Sequence, residues 1–371
     1  MIMKKIILIL VVAITVYACS SSNSDNPTPA DNFDRKAMLT HMADDIIIPA
    51  FKEFNDKLIV LKEKTTTYNS TPSIITLQDV RVSYNSAYKA WQHVAMFNIG
   101  KAEELQFVNY FNIFPTNVVQ VETNITSGTY DLSHTNSKDE IGFPALDYLF
   151  YGVAVDDTAI VAKYTGVDAI KYKKYLTDVV AKMSEVMTLV VSDWNGTFRD
   201  SFVNNSGNSG TASVNKIVND YVFHYEKGIR SNKFGIPVGS FSGGTTFPNK
   251  VEAFYQKNFS KELALEALDA SQGFFNGKNF GTSNVEKLGF NAYLIALDRN
   301  DLATSINSQF DNARTQINTL GDNFTEQITS NNVVMTKAFD ELQKNIISLK
   351  VGMMQAFGIS LDAGYVDNDG D

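Results

Sequence analysis

Asp147 is the one carboxylate in an eleven-residue apolar and aromatic run bracketed by glycines, Gly142-Phe143-Pro144-Ala145-Leu146-Asp147-Tyr148-Leu149-Phe150-Tyr151-Gly152. Among Leu146, Leu149 and Phe150 such a group must find a partner or shift its pKa, because burying it alone is expensive. Pro144 suits the first turn of a helix, where its missing N–H costs nothing. Asp147 then falls in or just after that turn, where the positive end of the helix dipole favours an anion. Two chemistries are open to it. It can serve as a single metal ligand, or as a hydrogen-bonding anchor that orders the motif. A metal site needs several converging ligands, and proline has no side-chain donor atom to supply a second one here.

Other groups bear on the same place. Glu122 lies between the Pro115 loop and this run and is a second carboxylate that can converge on it. Tyr148 adds a hydroxyl that needs a partner if it is buried. Tyr110, Phe111 and Phe114, with Tyr148, Phe150 and Tyr151, either line a pocket between two halves of the chain or pack its core. The four histidines are His41, His93, His134 and His224. His93 follows Trp91 on a helix that sequence order places near the motif. His224 and Glu226 are two apart, on different helix faces. An ordinary surface or interface role is expected of each histidine.

Several chemistries have no footing. There is no His-Glu-x-x-His for a standard zinc protease, no P-loop, no dinucleotide glycine fingerprint and no Gly-x-Ser-x-Gly elbow. The terminal Asp367-x-Asp369-Gly370-Asp371 lacks the remaining positions of a calcium loop and reads as a solvated tail. A formal net charge of −9 with no basic stripe argues against nucleic acid.

The elements that must position these residues are helices. Leu39, Met42, Ile46, Ile47, Phe51, Phe54, Leu58 and Leu61 recur at three- and four-residue steps, with Pro49 inside the pattern as an expected kink. Val80, Tyr84, Ala87, Tyr88, Trp91 and Val94 trace a second face, and Tyr172, Leu176, Val179, Met183, Val186, Val190 and Trp194 a third. Phe310, Ala313, Ile317 and Leu320, then Val334, Ala338, Leu342, Ile346 and Leu349, trace two more. Alternating strand patterns are scarce, so the chain reads as all-α. Residues 204–210 (Asn-Asn-Ser-Gly-Asn-Ser-Gly) form a loop by composition. A cut there leaves an N-terminal helical bundle over 31–204 and a C-terminal one over 211–371, each with about four helices, the simplest way to bury these stripes.

The first nineteen residues stand apart. Lys4 and Lys5 precede an apolar core too short for a permanent transmembrane helix. The segment ends Val16-Tyr17-Ala18-Cys19, which looks like a bacterial lipobox, so cleavage before Cys19 and diacylation of its thiol are expected. Cys19 is the only cysteine, which removes any intramolecular disulfide and any thiolate chemistry in the mature body. Residues 20–30 have the polar, proline-containing composition of a flexible tether.

The run from Gly142 to Gly152 resembles the signature of the imelysin-like proteins, Gly-x-His-x-x-Glu followed by an apolar stretch and a second glycine. Here it reads Gly142-x-Pro144-x-x-Asp147: the frame is kept, the histidine is gone and the glutamate is shortened. Further pieces come in family order. Ile47-Ile48-Pro49-Ala50-Phe51 resembles the first-helix proline motif and Ala90-Trp91 the second-helix tryptophan. Asn232-Lys233-Phe234-Gly235-Ile236-Pro237-Val238-Gly239 is similar to a family loop. Val251-Glu252-Ala253-Phe254-Tyr255, Gly289-Phe290 and the tail 364–371 come after it. The resemblance implies two four-helix-bundle-like halves related by duplication, and the expected residues of the site are Gly142, Pro144, Asp147, Tyr148, Gly152 and Trp91 from the family-like pieces, with Glu122 and His93 added by sequence order. It also implies a role at the cell envelope in uptake of iron or another divalent ion alongside envelope uptake proteins; with the lipobox this gives a lipid-anchored protein on the outer membrane, and the lost motif histidine makes it a non-catalytic binding component. The alternatives are a metallopeptidase of the imelysin type and a lipid-tethered interaction scaffold.

Overall fold

Side chains repeating at helical spacing bury themselves only against one another, and the computed structural model shows how. It describes residues 32–207, 209–284 and 288–362. The leader with Cys19, the tether and the tail 364–371 lie outside the described residues. From Phe33 on, the chain forms one compact unit. Among the described residues there is no strand, and no helix is long and apolar enough to cross a membrane.

The long helices are α1 (Ile48–Ser70), α2 (Ile74–Gln92), α3 (Val118–Ser127), α4 (Gly142–Asp147), α5 (Ala169–Asn195), α6 (Ser213–Phe223), α7 (Ser260–Phe275), α8 (Asn300–Asn318) and α9 (Phe324–Ile346), with α4 short but central. α1 packs on both α2 and α5, and buries Phe51, Phe54, Leu58 and Leu61. α2 begins at a capping box in which Ser73 and Thr76 exchange bonds with each other's backbone, which satisfies two N–H groups that a helix start leaves over. α8 packs on α9, and α7 reaches back onto α2, joining the helices before residue 205 to those after it.

Among the described residues four stretches are wound as π-helix: Met42–Ile47, Tyr148–Gly152, His224–Gly235 and Ile347–Met353. The first and third each run directly into Ile-Pro, at Ile48-Pro49 and Ile236-Pro237. Proline has no N–H to give to the preceding turn, and in both places it sits in the first turn of the next α segment, where none is needed. The disturbance expected at Pro49 therefore takes the form of a change in helix type just upstream.

The second π-helical turn lies inside the signature. Its loosened carbonyls are taken up by side chains: Arg81 donates twice to the Phe150 carbonyl, at 3.0 and 2.5 Å, and the Tyr164 hydroxyl donates to that of Leu149 at 3.3 Å. Arg81 also stacks on the Tyr151 ring, 4.2 Å from its centroid, and pairs with Asp157 at 2.8 Å. The bracketing glycines are both steric necessities. Gly142 has φ +81°, and a Cβ there would lie 2.4 Å from the Phe111 carbonyl oxygen; at Gly152 it would lie 2.2 Å from the Tyr255 ring. We expect Gly142→Ala to lower stability by about 3 kcal/mol, from backbone strain and overpacking together. Gly210→Ala, which meets open space, should change it by less than about 0.5 kcal/mol in the same urea unfolding series.

Candidate functional site

Asp147 is the last residue of α4 and is 2 % exposed. It does not sit in the helix's first turn, and its partners come from more than a hundred residues away. Oδ2 accepts the Tyr255 N–H at 2.7 Å and Oδ1 accepts the Gln256 N–H at 3.0 Å. Burial pushes its carboxyl up to about 7, and the two amide bonds oppose that rise. The segment it grips is unusual in its backbone, with Ala253 at φ 55° and Lys257 at φ 69°. Left-handed residues leave amides turned away from any helix ladder, and the carboxylate collects two of them. The Tyr255 ring lies against Gly152 and edge-on to Tyr148, with centroids 5.3 Å apart. Beside this junction a cavity of about 210 Å³ remains, lined by Phe114, Pro115, Pro144, Asp147, Val251 and Phe254 among others.

The same segment carries a second buried carboxylate. Glu252, 2 % exposed, pairs with the equally buried Lys233 and accepts from Asn112 Nδ2 at 2.7 Å and Gln92 Nε2 at 3.2 Å. Lys233 donates also to Gln92 Oε1 at 2.9 Å, and the Tyr88 hydroxyl donates to Asn112 Oδ1 at 2.6 Å. Burial lowers the pKa of Lys233, and Glu252 opposes that. A buried ion pair survives when its remaining donors and acceptors are answered, and here Gln92, Asn112 and Glu252 answer one another. His224 nearby is held neutral: burial and the Lys233 charge bring its pKa down to about 3.

The other expected site residues go elsewhere. Glu122 does converge on the signature, but on Tyr148 and not on Asp147: its oxygens accept from Tyr148 Oη at 2.5 Å and Tyr172 Oη at 2.9 Å. Trp91 is core, stacked on Phe111 at 4.9 Å. His93 lies at the α2–α7 contact, 3.3 Å from Glu266 Oε2, with the Phe280 ring edge-on. Pro144 lines the cavity. Of the aromatics, Phe114 lines the cavity, Phe111 and Phe150 are core, and Tyr110 carries the Lys138 ammonium over its face. His41 and His224 are buried. Sequence reasoning missed Lys233 and Glu252 as partners, although both fall in family-like pieces of the chain. It also left Tyr172 as one more apolar-face residue.

The sequence profile described as Imelysin matches residues 47–350. The chain belongs to the imelysin family. Two solved structures share the fold. An imelysin-like protein from Psychrobacter arcticum 273-4 superposes with a TM-score of 0.71 at 18 % identity, over 88 % of this chain and 96 % of that one. A protein from Parabacteroides distasonis ATCC 8503, named for iron-regulated protein A precursor, gives 0.72 at 16 %, over 90 % and 97 %. Among curated proteins none matches.

A metal ion does not fit the imelysin signature as this chain writes it. Pro144 offers no donor atom, both Asp147 oxygens face backbone N–H groups, and among the described residues no group of three His, Cys, Asp or Glu side chains can hold an ion. What the arrangement does is pin one segment to another, and this makes stability depend on pH. The folded carboxyl, raised to about 7 from an ordinary 3.8, binds its proton more tightly than the unfolded chain does. Its stabilising contribution is therefore complete below about pH 4 and is lost as pH rises through about 7. Denaturant midpoints of wild type and Asp147→Asn, measured from pH 4 to 8, should show that loss in the wild type and a flatter profile in the variant.

Proposed function

We propose that this imelysin-family protein is a non-catalytic binding component of the cell envelope, linked to uptake of iron or another metal ion. It is held by a lipid on Cys19 at the outer membrane and hands its cargo to envelope uptake proteins. The observation that carries the non-catalytic part is the use made of Asp147: both of its oxygens are spent on the amides of Tyr255 and Gln256. A metallopeptidase centre needs at least three protein ligands, an open coordination position and a general base. The signature here supplies neither of its two usual donors in a free state. Supporting the uptake part are the lipobox-like Val16-Tyr17-Ala18-Cys19 and the iron-regulated name of one structural relative.

The test is a pair of assays on the purified protein. Peptide hydrolysis is measured with and without added Zn2+ or Fe3+, and ion binding is measured by calorimetry in wild type and Asp147→Asn. The expected outcome is no cleavage under any condition, and saturable ion binding that survives the substitution. Cleavage switched on by Zn2+ and abolished by Asp147→Asn would restore the peptidase.

A further inference from the structure

We infer that Glu122, Tyr148 and Tyr172 form a binding site for a hard trivalent cation, with ferric ion as its cargo, distinct from the signature carboxylate. Three separate elements deliver these side chains: α3 carries Glu122, the π-helical turn after α4 carries Tyr148, and α5 carries Tyr172. Their oxygens already face one another. Tyr148 Oη lies 2.5 Å from Glu122 Oε1, and Tyr172 Oη lies 2.9 Å from Glu122 Oε2. Those separations bracket the edge of an octahedron with metal–oxygen bonds of about 2.0 Å, which is about 2.8 Å. The two tyrosines are 7 % and 5 % exposed and Glu122 is half-buried, so the cluster is largely shielded from water.

The chemistry selects the ion. All the donors are oxygens, which suit hard cations and not the soft ones that seek thiolate. A carboxylate and two phenolates together carry three negative charges, which a trivalent cation matches. One trivalent ion takes the carboxylate and both phenols. Metal–oxygen bonds form to the three side chains, two O–H bonds break, two protons leave to solvent, and the site ends with no net charge. No electron moves. Lys163, whose Nζ donates to Tyr172 Oη at 3.4 Å, has to turn aside when that phenol is bound to the ion. The alternative assignment is two phenols that merely satisfy a half-buried carboxylate. It accounts for the hydrogen bonds, and it makes no prediction of a colour. The ferric assignment rests on the uptake reading for its cargo, and on side-chain geometry for its location.

A phenolate bound to ferric iron gives a visible charge-transfer band, which reports the ligands directly. The full chain is titrated at pH 7 with ferric nitrilotriacetate. Absorbance is followed, and the iron retained after desalting is measured separately. The expected result is one retained iron per chain with a visible band, at least tenfold weaker binding and loss of the band in both Tyr148→Phe and Tyr172→Phe, and an unchanged band in Asp147→Asn. Thermal unfolding of each variant confirms that it is folded. Retained iron without a band, or a band indifferent to both tyrosine substitutions, overturns this site and leaves the uptake reading standing. No retained iron overturns the site, and with it iron as the cargo.

Discussion

Two buried carboxylates tie one stretch of chain to the rest of the molecule, and the arrangement of the site depends on that. Asp147 reaches across from the end of α4 to the amides of Tyr255 and Gln256. Glu252, a few residues earlier in the same stretch, reaches back to Lys233, Gln92 and Asn112. Neither charge is tolerable alone in an apolar interior. Asp147 is answered by amides of a stretch whose backbone is left-handed at Ala253 and Lys257, and Glu252 by its own polar network. The segment thus becomes a joint between helices before and after residue 205. The aromatic ring at its end, Tyr255, fills the space that Gly152 leaves empty.

This joint explains why the signature keeps its frame after losing its ligands. Gly142 is fixed by the Phe111 carbonyl, Gly152 by the Tyr255 ring, and Pro144 needs only to begin a helix and wall a cavity. An aspartate in place of the longer glutamate still answers two amides. The frame has an architectural duty that does not require a metal. Tyr148, one residue after Asp147, turns the other way and meets Glu122 and Tyr172, so one short run serves both a packing junction and an oxygen-rich cluster.

Much of this was legible in the amino-acid sequence, and the limits were physical ones. The helices were, because three- and four-residue apolar spacing has few other solutions; the buried faces of α1, α2 and α5 match the periodicity closely. That Asp147 would need a partner was legible from its apolar neighbours. Which partner was not, since the amides of Tyr255 and Gln256 become available only through the φ values of Ala253 and Lys257, and neither residue type announces a left-handed backbone. The helix of His93 was expected near the motif, and α2 does meet it through Tyr84 and Tyr88, while the His93 ring itself faces Glu266 at the α2–α7 contact. The π-helical winding around the two Ile-Pro steps was equally hidden, because its hydrogen-bond shift leaves the apolar spacing almost unchanged.

The most direct measurement is native-state hydrogen exchange at the Tyr255 and Gln256 amides, compared between wild type and Asp147→Ala. If Asp147 anchors the segment, both amides are strongly protected in the wild type. In the variant they lose protection by a factor of about 5 or more, each amide being left without its acceptor at a cost of about 1–3 kcal/mol, while amides in α1 and α5 keep theirs. Unchanged protection at Tyr255 and Gln256 would contradict the account and return Asp147 to the pool of free ligands.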